Sequence, residues 1–473
     1  MIHNRSAVQT RTEHLISTIT EWPIVISNFL FNWVLHFSKM SSNNLLEGVL
    51  PKQKRTGYVF EELYLWHDPG SISYNNKWVQ PGEAWESKDS KSRFHSLLCV
   101  SGLADKLIKV PARKATRAEL CRFHTEEYHD RIMKDSEQRG GDGGEVAQFG
   151  AGSYEIAALS AGGVMRAVEA VLEGTIDNAY CLVRPPGHHA LADMGMGFCL
   201  FNNVVVAALH SRALDPNIKR IAIVDYDVHH GNGTQSAFWN DAEALFISIH
   251  QDNNYPRNNG LICETGGPDA IGTTINLPLP PGSGIGAYMY AFDTVVLPAL
   301  KRFCPDMIFV SSGYDASYAD PLGSMMLSSE AFGVMASKLQ LCAEDLCGGR
   351  IVYAHEGGYS KDYVPFCGLA VVEAISGFSS GVTDPYLSEV KSWGYQDCLP
   401  HQAAVIDTVT ATHSLGSDLG NKSNSSADPL QLSTSEKGIH DIIEKVLSSI
   451  NDADRRAAIL LALSAPKSEA KSE

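Results

Sequence analysis

The densest group of reactive side chains lies in residues 223–234, which read Ile-Val-Asp-Tyr-Asp-Val-His-His-Gly-Asn-Gly-Thr. Asp225, Asp227 and His229 alternate there at the end of an apolar segment typical of a strand. Residues two apart in an extended chain point to the same side, so we expect the two carboxylates and the imidazole to converge. Such a group suits a divalent cation, whereas the alternative is a polar strand end that caps a neighbouring helix. The glycines of the run permit a tight turn beside the cluster, which favours the metal site.

Three more polar motifs follow apolar segments. Arg-Pro-Pro-Gly-His-His-Ala at 184–190 places His188 and His189 side by side on a rigid turn, as ligands, a proton-transfer pair or ordinary loop residues. A Gly-Tyr-Asp motif ends at Asp315, which could supply another carboxylate ligand or only stabilise a turn. His-Glu-Gly-Gly-Tyr ends at Tyr359, a candidate catalyst whose ordinary alternative is packing at the rim of a cleft.

The elements that must position these motifs alternate between short β-branched segments and helix-like segments. Near-continuous apolar strands separated by helices are typical of a parallel sheet covered on both faces. Ligands bind at the carboxyl ends of the strands in such sheets, which is where the four motifs lie. The predicted strands are Ala179–Val183, Ile221–Asp225, Leu245–Ile249, Met307–Ser311 and Ile351–His355, and the predicted helices include Ile156–Leu172, Ala287–Phe303 and Glu330–Leu346.

The composition is that of a large globular protein: 473 residues, 44% hydrophobic and 19% charged, with a formal net charge of −16. This negative charge opposes direct binding to a nucleic-acid backbone and suits a cationic or neutral substrate. None of the ten cysteines forms a C-x-x-C pair. They are typical of reduced core thiols, which predicts an intracellular protein, cytoplasmic or nuclear.

Residues 1–56 predict an N-terminal extension. Its stretch 23–37 is apolar and aromatic but short and interrupted by Ser and Asn, which argues against a membrane span. Arginines precede this stretch, so residues 1–40 could target the chain to an organelle, although nearby glutamates weaken that interpretation. An amphipathic extension is the alternative, and translation could also start at Met40.

Beyond Asp384 the strand pattern fades, and residues 386–473 predict a C-terminal extension. Residues 414–438 are rich in Ser, Asn, Asp and Gly and predict a linker. Residues 439–463 have the apolar spacing of a helix, which could dock or remain solvated.

Taken together, the four motifs resemble those of the histone deacetylase superfamily. The resemblance covers Gly57 to about Pro385 and includes Gly-Met-Gly-Phe-Cys-Leu-Phe-Asn-Asn at 195–203. Within the superfamily the chain is most similar to the class II branch and to bacterial histone-deacetylase-like amidohydrolases. The resemblance implies an arginase-like α/β fold of three layers, a mostly parallel central sheet between helices, with a catalytic domain at 57–385.

The resemblance also implies two kinds of metal site. Asp227, His229 and Asp315 match the ligands of one catalytic zinc ion, and three protein ligands leave positions for water and substrate. The family also binds a structural potassium ion, whose ligands are matched by Asp225, Asp227, the His229 carbonyl and Ser248.

The catalytic groups implied by the resemblance are the histidine pair and the tyrosine. His188 and His189 match the proton-transfer pair, with Asp225 orienting His188 and Asn232 standing where many class I members have an aspartate. A neutral amide stabilises imidazolium less than a carboxylate does, so we expect His189 to have the lower proton affinity and to act as the base. Tyr359 matches the donor to the developing oxyanion.

Matches to the family's substrate-binding residues lie around an acyl-lysine tunnel. Phe198, which follows Gly197, and Tyr255 match the aromatic walls, although most members have Phe at the second wall. Asp142 matches a rim aspartate that binds the substrate backbone. Leu322 stands where deacetylases that prefer acetylpolyamines tend to have an acidic gate residue.

The predicted function is therefore zinc-dependent removal of acetyl groups from N-acetyl-lysine side chains of histones or other proteins. The uncharged Leu322 disfavours the main alternative, an acetylpolyamine or other small-molecule amidohydrolase. A manganese ureohydrolase would have another acidic residue after the ligand histidine segment, where this chain has Gly231 and Asn232, which argues for a single metal. An inactive scaffold is disfavoured because Tyr359 is present. The predicted partner is an acetylated protein or peptide, as in chromatin regulation. Homo-oligomers and corepressor complexes remain open, and we expect no direct nucleic-acid contact and no membrane span.

Overall fold

Eight parallel strands form the central sheet of the computed structural model, which describes residues 53–70, 80–394 and 396–415. The apolar runs that precede the motifs are buried along their whole length, as expected for strands covered on both faces. In chain order the strands are β1 (Thr56–Val59), β2 (Ile108–Lys109), β3 (Asn178–Cys181), β4 (Ile221–Asp225), β5 (Ala244–Gln251), β6 (Thr274–Leu279), β7 (Met307–Ser312) and β8 (Ile351–His355).

The strand order is β6-β5-β4-β7-β8-β3-β1-β2, and every neighbouring pair is parallel. From β4 the chain proceeds outward to β5 and β6, and from β7 it proceeds in the opposite direction to β8. The order therefore reverses between β4 and β7, where Asp225 faces Ser311 in the register. Ligands of open parallel sheets bind at the carboxyl side of such a reversal.

Helices lie on both faces of the sheet. The helices at 153–172 and 203–214 pack against each other, and so do the helices at 329–347 and 364–376. The α-helices are α1 (Lys88–Val100), α2 (Arg117–Leu120), α3 (Glu126–Gln138), α4 (Ser153–Leu172), α5 (Asn203–Leu214), α6 (Asn232–Phe238), α7 (Ile285–Ala291), α8 (Leu297–Phe303), α9 (Ser329–Cys347), α10 (Val364–Ser376), α11 (Leu387–Ser392) and α12 (Pro400–Thr412). Shorter elements are the 3₁₀ turns Glu62–Trp66 and Ala104–Lys106, a π-helical turn at Phe292–Val296, and two small ribbons, Gly140–Asp142 with Gln148–Gly150 and Gly144–Glu145 with Gly195–Met196.

The predicted fold class is confirmed, and the five predicted strands lie in the sheet with bounds that differ by at most two residues. Strand β6 was not predicted because Pro278 interrupts its pattern. Proline cannot donate to a ladder, so it is confined mostly to edges, and β6 is an edge strand. The helix predicted at 287–303 is two α-helices joined by the π-helical turn.

Several predicted segments lie outside the described residues. These are the N-terminal stretch 23–37, nearly all of the linker 414–438 and the helix 439–463. The boundary at 385 stays a prediction, and α11 and α12 follow it in the chain. None of the helices within the described ranges combines the length and apolar character that crossing a bilayer requires.

Candidate metal and catalytic site

The carboxylates of Asp227 and Asp315 and the imidazole of His229 meet where the strand order reverses. His229 Nδ1 lies 3.1 Å from Asp227 Oδ1 and 3.1 Å from Asp315 Oδ2. All three side chains are buried, and the atoms they offer as ligands lie within 4.8 Å of one another. Atoms that bind one tetrahedral zinc ion at about 2 Å lie roughly 3.3 Å apart, so these donors are close to the spacing of a ligand set.

Local turns rather than an extended chain bring the first two donors together. Strand β4 ends at Asp225, whose Oδ1 accepts a hydrogen bond from the Asp227 N–H at 3.0 Å. Asp227 Oδ1 in turn accepts from the His229 N–H at 2.9 Å. The prediction that extended backbone would align these residues was wrong, because carboxylates two residues back cap the backbone and bend it. Asp315, from the loop after β7, is held by the Val228 N–H, which donates to its Oδ1 at 2.7 Å.

Two glycines leave room for the carboxylates. A Cβ atom at Gly313 would lie 2.0 Å from Asp227 Oδ2, and one at Gly357 would lie 2.1 Å from Asp315 Oδ2. The Gly357 N–H also donates to Asp227 Oδ2 at 2.8 Å. Any larger residue at either position would push a carboxylate out of the cluster.

The electrostatics of the cluster fit a divalent cation. Burial first, and then the neighbouring Asp227 carboxylate, raise the pKa of Asp315 above its ordinary value. Burial alone would lower the pKa of His229, but Asp315 and Asp227 outweigh it and raise that pKa to about 10. Two buried carboxylates side by side repel each other, and a cation between them would offset this repulsion. Two carboxylates and an imidazole are also a donor set that zinc accepts.

The two adjacent histidines lie beside this cluster with their rings 4.0 Å apart. The His188 Nδ1–H donates to Asp225 Oδ2 at 3.0 Å, and the His189 Nδ1–H donates to Asn232 Oδ1 at 2.8 Å. Because both Nδ1 atoms are engaged, Nε2 is the atom of each ring left for proton transfer. His188 Nε2 lies 3.8 Å from Asp227 Oδ1, so the first histidine faces one carboxylate of the candidate metal site.

The surroundings of the two imidazoles shift their pKa values in opposite directions. Burial lowers the pKa of His188, but the carboxylates of Asp227 and Asp225 outweigh it and raise the pKa to about 10. Burial, followed by the charges of His188 and His229, lowers the pKa of His189 well below its ordinary value. The pKa of His188 is thus shifted upward and that of His189 downward, so His189 is the ring better suited to accept a proton.

Tyr359 reaches the site from the segment after β8. Its N–H donates to Asp320 Oδ2 at 2.7 Å, and its ring centroid lies 6.3 Å from that of His229. Burial, and then the negative charges of Asp315 and Asp227, raise the pKa of the Tyr359 hydroxyl well above its ordinary value. The hydroxyl therefore stays protonated at neutral pH and can donate a hydrogen bond.

Two aromatic rings stand beside these groups. Phe198 lies 5.9 Å from the Tyr359 ring, and Tyr255 lies 5.1 Å from the His189 ring, edge to face. Gly197 and Phe198 both have left-handed backbone, with φ of +51° and +67°. Residues other than glycine rarely adopt this backbone conformation, and such strained residues cluster at functional sites. A Cβ atom at Gly197 would lie 2.4 Å from the His189 ring, so only glycine fits there.

The strand Gly144–Glu145, which pairs with Gly195–Met196 just before Phe198, carries an acidic residue that the sequence interpretation missed. Glu145 accepts the Gly197 N–H on its carbonyl at 2.9 Å, and its carboxylate is one of the groups that raise the pKa of Tyr255, after burial. Asp142 is exposed, and its carboxylate accepts from the Gly144 N–H of its own loop at 3.0 Å. The rim role predicted for Asp142 stays a prediction, and Glu145 is an acidic side chain close to Tyr255.

The remaining predicted residues lie near the cluster. Leu322 is half-buried, and its carbonyl accepts a hydrogen bond from the side chain of Asn254, the neighbour of Tyr255, at 3.1 Å. Ser248 is the register partner of Asp225 on β5, and its hydroxyl lies 2.9 Å from His250 Nδ1. The potassium site attributed to Asp225, Asp227, His229 and Ser248 stays a prediction.

Similarity to known proteins covers the whole of this region. Residues 84–375 match the histone deacetylase domain. The chain is 46% identical over 338 residues to a histone deacetylase-like amidohydrolase of Pseudomonas aeruginosa, covering 70% of this chain and 89% of that protein. A probable deacetylase of Archaeoglobus fulgidus is 35% identical over 339 residues, covering 71% and 91%. The crystal structure of the HDA15 HD domain matches with a TM-score of 0.64 at 31% identity, covering 77% of this chain and 98% of that one.

Proposed function

Because the chain belongs to the histone deacetylase family, we propose that it is a zinc-dependent amidohydrolase that removes acetyl groups from N-acetyl-lysine side chains of proteins. The observation that carries this proposal is the convergence of Asp227, His229 and Asp315 beside two histidines of opposite proton affinity. Hydrolysis of an amide requires activation of water, stabilisation of an oxyanion and protonation of the leaving amine. The site offers a group for each of these tasks.

The three donors would hold zinc, which when bound supplies Lewis-acid polarisation of the acetyl carbonyl and of the attacking water. His189 is neutral and accepts the proton that the water loses as its oxygen bonds to the acetyl carbon. Asn232 fixes the tautomer of this ring by accepting from Nδ1. His188 remains an imidazolium held by Asp225, and its charge favours the build-up of negative charge on the substrate.

The second half of the reaction breaks the carbon–nitrogen bond. The Tyr359 hydroxyl donates to the oxyanion until the bond breaks, and one of the two histidines returns a proton to the leaving nitrogen. The products are acetate and the free amine. Phe198 and Tyr255 flank the site and would enclose the methylene stem of the acetylated side chain.

A direct comparison of substrates tests this proposal. Purified protein would be supplied with an acetyl-lysine peptide and with an acetylpolyamine, and acetate release would be followed for both. We expect the peptide to have the higher specificity constant. Failure to hydrolyse either amide would refute the proposed reaction, and a preference for the polyamine would refute the proposed substrate.

Acetylpolyamine hydrolysis is a second candidate, and Glu145 is the observation that favours it. A polyamine carries ammonium groups beyond its acetylated end, and a carboxylate beside the aromatic wall could pair with one of them. Glu145 is exposed, so such a pair would be screened by solvent and would contribute little. Leu322, whose carbonyl accepts a hydrogen bond from Asn254, offers no charge. Protein acetyl-lysine therefore remains the preferred substrate.

Replacing Leu322 with Glu is expected to shift selectivity toward the acetylpolyamine by roughly tenfold. The physical reason is a new charge pair at a half-buried position, which at about 1.4 kcal/mol corresponds to one decade in specificity. The measurement is the ratio of the two specificity constants in wild type and in Leu322→Glu. Glu145→Gln serves as the matched variant, because it removes a carboxylate from the same wall and should change the ratio by less than about threefold. A wild type that already favours the polyamine would contradict the role given to Leu322.

A further inference from the structure

Another buried carboxylate contacts the backbone of the turn that carries the histidine pair. Glu356 follows β8 directly and is completely buried. Its Oε2 accepts the Gly187 N–H at 2.7 Å and the His188 N–H at 3.1 Å, and its Oε1 accepts the Ser311 hydroxyl at 3.2 Å. Both carboxylate oxygens are thus used in holding other parts of the chain. Neither Asp225 nor Asn232, which contact the imidazole rings, makes these backbone contacts.

The segment that begins with Glu356 also carries the other half of the site. The Gly357 N–H donates to Asp227 Oδ2, and the Tyr359 N–H donates to Asp320 Oδ2. Within four residues, this segment therefore contacts the histidine turn, a proposed metal ligand and the loop beyond Asp315. A shift of the Glu356 side chain would move the histidines relative to Tyr359.

Other contacts hold the far side of the same turn. The His188 carbonyl accepts from the N–H groups of Gly233 and Thr234 at 3.1 and 3.2 Å, and the Pro185 carbonyl accepts from Ser160 Oγ at 2.9 Å. These contacts fix the turn against α6 and α4. They do not fix it against the segment of Tyr359, and Glu356 makes that connection.

We propose that Glu356 is a positioning residue, whose carboxylate holds the backbone of Gly187 and His188 at a fixed distance from the Tyr359 segment. The inference rests on the proposed function, since it concerns the same reaction. Catalysis by the histidines requires them to stay aligned with the oxyanion donor, and misplacement by about 1 Å can cost roughly a hundredfold in rate. The residue acts through its hydrogen bonds, and we assign no role to its charge.

Three substitutions of Glu356 separate the effect of its hydrogen-bond acceptors from the effect of its negative charge. Glu356→Leu keeps most of the volume but removes both acceptor atoms. Glu356→Gln keeps an acceptor oxygen at the same reach, and its amide can donate to Ser311 Oγ, which can accept as well as donate. Glu356→Asp keeps the charge but is shorter by about 1.5 Å, one carbon–carbon bond, and so cannot maintain the contact with Gly187. The proposal predicts a higher kcat for Glu356→Gln than for Glu356→Asp, whereas a role for the charge predicts the reverse order.

The test measures kcat and KM for an acetyl-lysine peptide with purified, zinc-loaded full chain. We expect Glu356→Leu to lower kcat by roughly thirty- to a hundredfold, with zinc content unchanged and KM within about threefold. Glu356→Gln is expected to recover at least about tenfold of this loss, and Glu356→Asp to remain clearly below Glu356→Gln. If the leucine variant does not fold, the comparison of Gln with Asp decides the question alone.

A control variant separates positioning from general loss of stability. Gln340 is buried at the opposite end of the sheet, where its side chain accepts a hydrogen bond from Asn178. Gln340→Leu should lower the melting temperature but keep kcat within about twofold. A Gln variant at 356 as slow as the Leu variant, or slower than the Asp variant, would overturn the inference. A wild type that does not hydrolyse the peptide would instead refute the proposed function.

Discussion

Asp315→Ala is expected to abolish both metal binding and amide hydrolysis. The carboxylate supplies one of three donors, and the two that remain cannot hold zinc against solvent at an open site. Loss of a residue that only hydrogen-bonds to a metal ligand costs roughly ten- to a hundredfold in metal affinity, so loss of a direct ligand should exceed that range. The measurements are zinc content by elemental analysis and acetate release from an acetyl-lysine peptide. About one zinc per wild-type chain is expected, and almost none per mutant chain.

Asp306→Ala provides the matched control for this experiment. Asp306 stands just before β7, at the opposite end of the strand, where its carboxylate accepts the N–H groups of Lys219 and Arg220. The control removes a carboxylate from the same part of the chain without touching the cluster, so zinc and activity should be retained. An Asp315→Ala protein that is metal-free and fully active would rule out the assigned metal site.

Tyr359→Phe is expected to lower kcat by roughly a hundred- to a thousandfold, the usual effect of losing one oxyanion donor. The change removes only the hydroxyl, and the ring contact with Phe198 is kept. Because the backbone N–H that bonds Asp320 is unaffected, the segment should keep its position. The pKa of the hydroxyl is raised well above its ordinary value, so wild type should donate from the neutral phenol throughout the neutral range. Steady-state turnover at unchanged zinc content is the measurement.

Tyr353→Phe is the control for the loss of a buried hydroxyl. Tyr353 lies on β8, and its hydroxyl donates to the Ala336 carbonyl of α9, away from the site. Its removal should reduce stability by about 1 kcal/mol and leave kcat unchanged. A rate for Tyr359→Phe within about threefold of wild type would contradict the oxyanion role.

Much of the site could be predicted from the sequence because its residues follow buried strands. The carboxyl ends of parallel strands meet at one edge, so motifs that are far apart in the chain had to converge once the strands were identified. Asp227 and Asp315 illustrate this: their separation in the chain is large, but β4 and β7 are neighbours. The sequence also indicated that His189 has the lower proton affinity of the pair, although the larger causes in the structure are burial and the charges of Asp227, His188 and His229 rather than the residue behind each ring.

The parts that could not be predicted depend on loops, whose conformation has no periodicity. The turns after Asp225 are set by carboxylates that cap the backbone two residues on, and extended geometry was assumed instead. Glu145 lies in a glycine-rich loop, and only the pairing of that loop with Gly197 brings it to the aromatic wall. The backbone contacts of Glu356 similarly arise from a tertiary approach between two turns. Strand β6 was hidden by a proline that an edge strand tolerates.

Removal and restoration of the metal tests the central claim most directly. Purified full chain would be treated with a chelator and dialysed, and acetate release from an acetyl-lysine peptide would be measured while zinc is added back stepwise. The account predicts that activity disappears on chelation and returns to the starting rate at about one equivalent of zinc, as a single three-ligand site requires. Full activity in the metal-free protein would contradict it.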